Sequence, residues 1–178
     1  MRIIITLVVL FSAQALSAAG LYQLRVGLVW YYELEGAAQE TARSSINRSV
    51  VANGVEWFEL TEYGERFWVR NASQGQVEAV NYFDSDFNVS EPVEEALIFK
   101  YPAAIGETWG SPESPTAYLG RRKITVPAGT FECHVYRFDL GGGAFSESCI
   151  AEGIGVVFNK FKDNSGNTEV SKLLRFEK

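Results

Sequence analysis

Histidine is nearly absent from this chain of 178 residues, which has one, and cysteine is scarce at two. So few ligands exclude a zinc finger or an iron–sulfur cluster built from this chain alone, and no cofactor is indicated. Basic residues are outnumbered, 16 Lys and Arg against 22 Asp and Glu, for a net charge of -6 and a pI near 4.9. That balance argues against a nucleic-acid partner, which needs a basic face. Proline is confined to the stretch between Pro92 and Pro127. The sequence has no G-x-S-x-G elbow and no Ser-x-x-Lys, and any histidine-dependent triad would have to use His134.

What is present is a globular composition, with 47% hydrophobic and 13% aromatic residues. A chain of ~150 residues buries roughly 68–70% of its unfolded surface, enough for one core. Residues 1–19 stand apart from that core. Arg2 precedes an apolar run from Ile3 to Phe11, and small residues follow through Ser17-Ala18-Ala19. This pattern is expected to be a cleaved signal peptide, leaving 20–178 as a single domain. Ser12 and Gln14 interrupt the run well short of the ~20 apolar residues a membrane span needs. No later stretch is apolar enough to cross as a helix, so the processed chain is expected to be periplasmic or extracellular.

The remainder reads as strand after strand. Tyr22, Leu24, Val26, Leu28, Trp30 and Tyr32 alternate with other residues in an unbroken period of two. Shorter rows follow, including Phe58 with Leu60, Leu97 with Phe99 and Tyr101, and Phe131 to Leu140. Turn formers separate them at Gly36, Asn53-Gly54, Gly64, Gly75, Gly141–Gly143 and Asn164–Gly166. The spacing predicts an all-β fold with little or no helix. It is expected to be a single antiparallel, strongly curved sheet of about ten strands, half-barrel or barrel-like. The proline stretch is expected to interrupt the sheet with loops, because proline cannot donate to a ladder. Val26-Gly27-x-x-Trp30 recurs as Ile105-Gly106-x-x-Trp109, a weak internal echo.

Val126-Pro127-Ala128-Gly129-Thr130-Phe131 is the most distinctive segment, and Pro127 followed by Gly129 suits a type I turn. Together with Gly153-Ile154-Gly155-Val156-Val157, it resembles a V-P-A-G-T-F and G-x-G-h-V signature (h hydrophobic) of uncharacterised exported bacterial β-proteins. Val26 to Trp30 and Leu173-Leu174-Arg175-Phe176 match the two ends of that pattern. The resemblance implies an exported antiparallel β-fold and nothing about catalysis. A more distant likeness, at the level of fold, is to periplasmic lipoprotein carriers, whose curved sheet cups acyl chains.

Several residues carry candidate chemistry. Cys133 and Cys149 lie eight positions either side of Gly141, which would set them opposite one another across a hairpin and within reach of a disulfide. His134 follows Cys133 directly, so on a strand the two side chains point to opposite faces and cannot form a nucleophilic pair. A half-exposed histidine opposite Ser148 is expected instead. Asp84, Asp86, Asn88 and Glu95 occupy positions 1, 3, 5 and 12 of a calcium-loop template. Val89 replaces the required glycine, however, and Pro92 interrupts the loop. Arg121-Arg122-Lys123 alternates faces and makes no continuous patch.

The alternating rows suggest one apolar face made of Trp30, Tyr32, Phe58, Leu60, Leu97, Phe99 and Tyr101, with Trp57 nearby. No amphipathic helix in the sequence is suited to cover it. The expected role is therefore non-enzymatic, holding a lipid or other hydrophobic small molecule in an apolar concavity. The alternative is a protein–protein interaction or structural module whose partner is another envelope protein. The sequence sets no oligomeric state.

Overall fold

Period-2 alternation broken by turns with positive φ produces a meander. In the computed structural model, which describes residues 20–83 and 85–178, twelve strands make one antiparallel sheet. They are β1 (Val29–Glu35), β2 (Thr41–Ala52), β3 (Val55–Glu62), β4 (Glu65–Ala72), β5 (Gly75–Ala79) and β6 (Glu95–Lys100). The second half holds β7 (Thr108–Ser111), β8 (Ser114–Val126), β9 (Gly129–Asp139), β10 (Phe145–Ala151), β11 (Gly155–Lys162) and β12 (Thr168–Glu177). One short 3-10 turn, Val80–Tyr82, is the only helical element among the described residues. The predicted signal segment 1–19 and Asp84 lie outside the described residues. The expected curved all-β sheet is present, with two more strands than anticipated.

Strand order is β6-β5-β4-β3-β2-β1-β12-β11-β10-β9-β8-β7. The chain thus folds as two meanders joined where β1 pairs with β12. Tight turns set most of the register. Asn53-Gly54 and Tyr63-Gly64 have φ of 52° and 77°, and of 52° and 90°, as a two-residue turn matched to strand twist requires. Register slips at five points, such as Ile46/Arg48 and Cys149/Ile150, bend the sheet toward closure. The two edges, β6 and β7, both fall in the proline-bearing stretch. They meet without a ladder: Trp109 Nε1 donates to Leu97 O at 3.0 Å, Lys100 pairs with Glu107, and the Tyr136 hydroxyl donates to Lys100 O at 2.8 Å. Both exposed edges of a long sheet are blunted in this way.

The first apolar row does not form one strand. β1 begins only at Val29, and residues 21–28 instead cross one end of the barrel with Leu21, Tyr22, Leu24 and Leu28 buried. Gly153 N donates to Leu21 O at 2.9 Å and Asn71 Nδ2 to Tyr22 O at 2.9 Å, so the segment ties the β10–β11 turn to β4. Trp30 completes the seal. Its indole N–H donates to Ile154 O at 2.7 Å, and its ring meets Tyr22 edge-on at 6.1 Å. Gly155 makes this approach possible: its φ is +109°, and a Cβ there would sit 3.3 Å from Trp30 Nε1. The barrel is therefore plugged by an extended segment, in place of the helix that was missing from the sequence.

Outward-facing side chains build a second, smaller core. Trp57, Trp68, Val77 and Ala79 are buried on the convex side of β3–β5, where Tyr82, Phe87 and Val93 pack over them. Tyr82 stacks on Phe87 at 4.4 Å, and Phe87 also packs on Trp57 and Trp68. Trp68 Nε1 donates to Ser85 O at 3.1 Å. Truncating either tryptophan to alanine would cost about 3–5 kcal/mol.

The hairpin that carries the cysteines differs from expectation by one residue at its centre. Asp139 pairs with Phe145, so the loop is centred on Gly142 rather than Gly141. Cys133 consequently stands opposite Ala151, and Cys149 opposite Val135, which makes the thiols diagonal neighbours on one face. Both are buried free thiols. The run of three glycines, all with positive φ, can centre the turn on either residue. The bond from Leu140 N to Ala144 O decides between them.

The docking of Trp30 predicts the effect of filling the space beside it. Gly155→Ala forces an L side chain into φ near +109° and should lower unfolding free energy by about 1–3 kcal/mol. Urea denaturation followed by tryptophan fluorescence measures this. An unchanged midpoint would show that the turn tolerates a side chain.

Candidate functional site

Closing a sheet of this length leaves more room than its inward side chains fill. The barrel encloses a cavity of about 1240 Å³, above the ~300–1,000 Å³ usual for ligand pockets. One side of its wall is aromatic and aliphatic, with Trp30, Tyr32, Leu60, Phe67, Phe99 and Phe138. A polar strip from β10, β11 and β12 faces them, made by Ser146, Ser148, Asn159 and Ser171. Asn159 Nδ2 bridges both serines of β10, at 2.8 and 2.9 Å, so this strip is largely satisfied within itself. The plugged end lies beneath Tyr22 and Trp30. At the other end the rim consists of the β1–β2 turn with Ala37, Ala38 and Gln39, the β3–β4 turn with Tyr63, and Phe161 and Glu169. Tyr63 spans this mouth, its hydroxyl 2.6 Å from Ser171 Oγ.

Three carboxyls line the cavity, Glu62 at the end of β3 and Glu78 on β5 within it and Glu169 of β12 at its rim. Burial, then the neighbouring charges of Glu78 and Glu65, push the Glu62 carboxyl up to about 7, against a weaker opposing contribution from Ser44. Burial also raises Glu78 and the phenols of Tyr22 and Tyr32 above them. Ser44 Oγ is buried in the same wall and has no hydrogen bond of good geometry, although it lies close enough to Glu62 to favour the ionised carboxyl.

The predicted apolar face is only partly assembled. Trp30, Tyr32, Leu60 and Phe99 do line the cavity. Phe58 packs in the main core without reaching the cavity wall. Tyr101 lies beyond the end of β6 and packs edge-on against His134 at 5.2 Å. Leu97 and Trp57 belong to the convex cluster and point away from the cavity. The irregularity between Gln76 and Val77 on the β5–β6 ladder is what places Leu97 and Phe99 on these different surfaces. Phe67, Phe138 and Glu62 were missed. The sequence signal for them was the same period of two, but which phase faces inward was settled by strand pairing.

The other candidates separate. Among the described members of the calcium-loop template, each side chain turns to a different partner. Asp86 pairs with Arg48 and Arg66, Asn88 with Glu91, and Glu95 with Arg70 through both oxygens. No group of three or more His, Cys, Asp or Glu side chains converges as metal ligands among the described residues. Arg121 pairs with Glu132 and Glu152, and Arg122 with Glu147.

His134 is not half-exposed opposite Ser148. It is buried and stands opposite Ile150, because the hairpin centre has moved. Its Nε2 lies 3.0 Å from Glu152 Oε1 and its Nδ1 2.9 Å from the Tyr118 hydroxyl. The hydrogen bond from His134 holds the Glu152 carboxyl below its usual range. Both ring nitrogens are thus engaged, and the thiols sit on the other face of β9. Cys133 and Cys149 touch one another. Their contact raises the Cys133 thiol and lowers that of Cys149.

No protein-family model and no curated protein matches this chain. A solved structure of similar fold is a Bacteroides fragilis protein described as exported, with a YmcC-like fold. It is 11% identical, covers 88% of this chain and 98% of its own, and superposes with a TM-score of 0.53. That likeness concerns the fold alone. A lipoprotein from Parabacteroides distasonis aligns over 90% of this chain and 100% of its own, at 11% identity and a TM-score of 0.45, which carries no further weight. No helix among the described residues is long and apolar enough to cross a membrane.

Two measurements test this geometry. Glu62 has a raised folded pKa, so its penalty is absent below about 4.5, grows as the unfolded chain ionises first, and is complete near pH 7. Glu62→Gln should therefore gain stability over the parent as pH rises from 5 to 7, measured by urea unfolding at each pH. A difference that is flat with pH would contradict the buried acid. His134→Ala, which leaves the Tyr118 hydroxyl and Glu152 without their shared partner, should cost about 1–3 kcal/mol in thermal unfolding.

Proposed function

We propose that this is an exported, non-enzymatic binding protein that carries or senses an amphiphilic small molecule inside its barrel. The observation that supports this most is the cavity of about 1240 Å³. It has an aromatic wall on one side, a serine–asparagine strip on the other and a rim of turn residues. A filled core would support a purely structural role, but inward positions here are occupied by serines where large side chains would close the space. Burying an alkyl tail against this wall contributes ~25 cal/mol per Å² of apolar area, before the costs of association. The engagement of both His134 nitrogens and the scattering of the acidic loop favour a role without catalysis. Export is supported by the composition of residues 1–19 and by the resemblance of the four sequence segments to exported β-proteins.

Cys133 and Cys149 we read as a disulfide in the exported protein. Two thiols would lose two protons and two electrons to the oxidising machinery of that compartment. Diagonal partners stand further apart than opposed ones, so closing the bond requires a small local shift. Non-reducing peptide mapping of protein recovered from its exporting host should find the two joined. Two free thiols there would overturn this reading.

The cavity reading is tested with a neutral amphiphile. Titration of dodecyl maltoside below its micellar concentration should saturate a change in fluorescence at Trp30. Ser148→Phe, which projects a ring into the cavity, should abolish it. A linear, unsaturable response in the parent would remove the binding role and favour the alternative of a protein-interaction module.

A further inference from the structure

The cavity has the wrong charge for a fatty acid. Glu62 and Glu78 both face it, and neither belongs to an ion pair among the described residues. The groups turned toward Glu62 come from each neighbouring element: Tyr22 from the plug, Tyr32 from β1, Ser44 from β2, Tyr63 from the β3–β4 turn, Glu65 from β4, and Glu78 from β5. None of them is a cation. Two arginines, Arg43 and Arg175, also border the cavity, but the guanidinium of each is engaged away from the two carboxyls. Arg43 donates to Ser45 Oγ at 3.1 Å, and Arg175 pairs with Glu177 and lies over the Tyr31 ring.

An acidic pair alone would be an ordinary solvated cluster. Here a second, independent feature lies beside it. Ser44 is 2% exposed, borders the cavity, and its hydroxyl, though near Glu62, is the one buried side-chain oxygen or nitrogen among the described residues that makes no hydrogen bond of good geometry. An unsatisfied buried hydroxyl is costly, and a donor entering the cavity would satisfy it. Around the same point stand the rings of Tyr22, Trp30, Tyr32, Tyr63 and Phe67, whose faces attract organic cations.

We infer that the cavity's occupant is a cationic amphiphile, with an ammonium head at Glu62, Glu78 and Ser44 and an alkyl tail along Phe99 and Phe138. This rests on the cavity reading above and narrows it to one ligand class. The head would donate N–H bonds to the two carboxylates and to Ser44 Oγ. The excess of acid over base across the chain would draw such a ligand toward the mouth. A fatty acid or an alkyl sulfate would instead place a second negative charge against Glu62 and Glu78.

Three probes of equal tail length separate the possibilities: dodecylammonium, dodecyl maltoside and dodecyl sulfate, each titrated below its micellar concentration at pH 8 with fluorescence as the readout. Dodecylammonium should bind about tenfold or more tightly than the neutral maltoside, and the sulfate more weakly than either. Glu62→Gln with Glu78→Gln should bring the ammonium down to the affinity of the maltoside, and Ser44→Ala should remove part of its advantage. In the unmodified protein its affinity should also rise from pH 5.5 to 8 as Glu62 ionises, which gives a readout without any substitution. Maltoside binding with no ammonium preference, or a preference that survives the double replacement, would overturn the charge assignment while leaving the cavity reading intact. Saturation by none of the three would overturn both.

Discussion

The hydrogen bond from the Trp30 indole to the Ile154 carbonyl is the contact on which the rest of the molecule depends. It joins the start of β1 to the turn before β11, and so fastens the first meander to the second across the barrel's plugged end. Tyr22 packs against the same ring, and Leu21 accepts from Gly153 one residue away. A tryptophan buried with its N–H satisfied combines a large apolar contribution with a directional one. The segment 21–28 is held at the same end by Gly153 N on Leu21 O, Asn71 Nδ2 on Tyr22 O and Gly27 N on Ile46 O, so indole and segment close that end together.

The four segments that resemble the exported β-proteins turn out to dock in pairs. Val26 to Trp30 meets the Gly153–Val157 turn through the indole and Gly155. The Val126–Phe131 hairpin meets the Leu173–Phe176 strand, where Ala128 N donates to Leu173 O at 2.9 Å. Pro127 and Ala128 form the two-residue loop between paired Val126 and Gly129. The echo between Val26–Trp30 and Ile105–Trp109 is also structural. Gly27 N donates to Ile46 O on β2, and Gly106 N to Tyr118 O on β8, just before β1 and β7 begin. Each tryptophan then places its N–H on a backbone carbonyl, Trp30 on Ile154 and Trp109 on Leu97. The two meanders therefore begin with the same device, once at the joint of the sheet and once at its closing edge.

Polarity is distributed unevenly around the barrel, and this gives the interior its character. The first meander contributes most of the aromatic wall and the carboxyls of Glu62 and Glu78, while β10–β12 contribute small polar side chains and Glu169 at the rim. Leaving serines inside costs little because Asn159 and Tyr63 satisfy several of them. Leaving Glu62 and Glu78 there without a cation is a different matter. Their raised pKa values record the electrostatic cost of that arrangement, and sites that carry such a cost are commonly binding sites.

Local chemistry alone determined a good deal. Alternation with a period of two, glycine-bearing turns and the want of any amphipathic helix specify an all-β meander, because each acts over a few residues. Trp30, Tyr32, Leu60 and Phe99 were legible as one face for the same reason. Long-range packing decided the rest. Tyr22 and Leu24 left their strand to plug the barrel because β10–β11 and β4 offered them partners far along the chain. The bulge at Gln76/Val77 sent Leu97 outward and kept Phe99 inside, and a turn centred one residue later moved Cys133 and His134 to new partners. A shift of one residue inverts every side chain downstream of it, and no local pattern records where such shifts fall. The same holds for charge: the registers of β2 to β5 bring Glu62, Glu78 and Ser44, from three different strands, to one wall without a counter-ion.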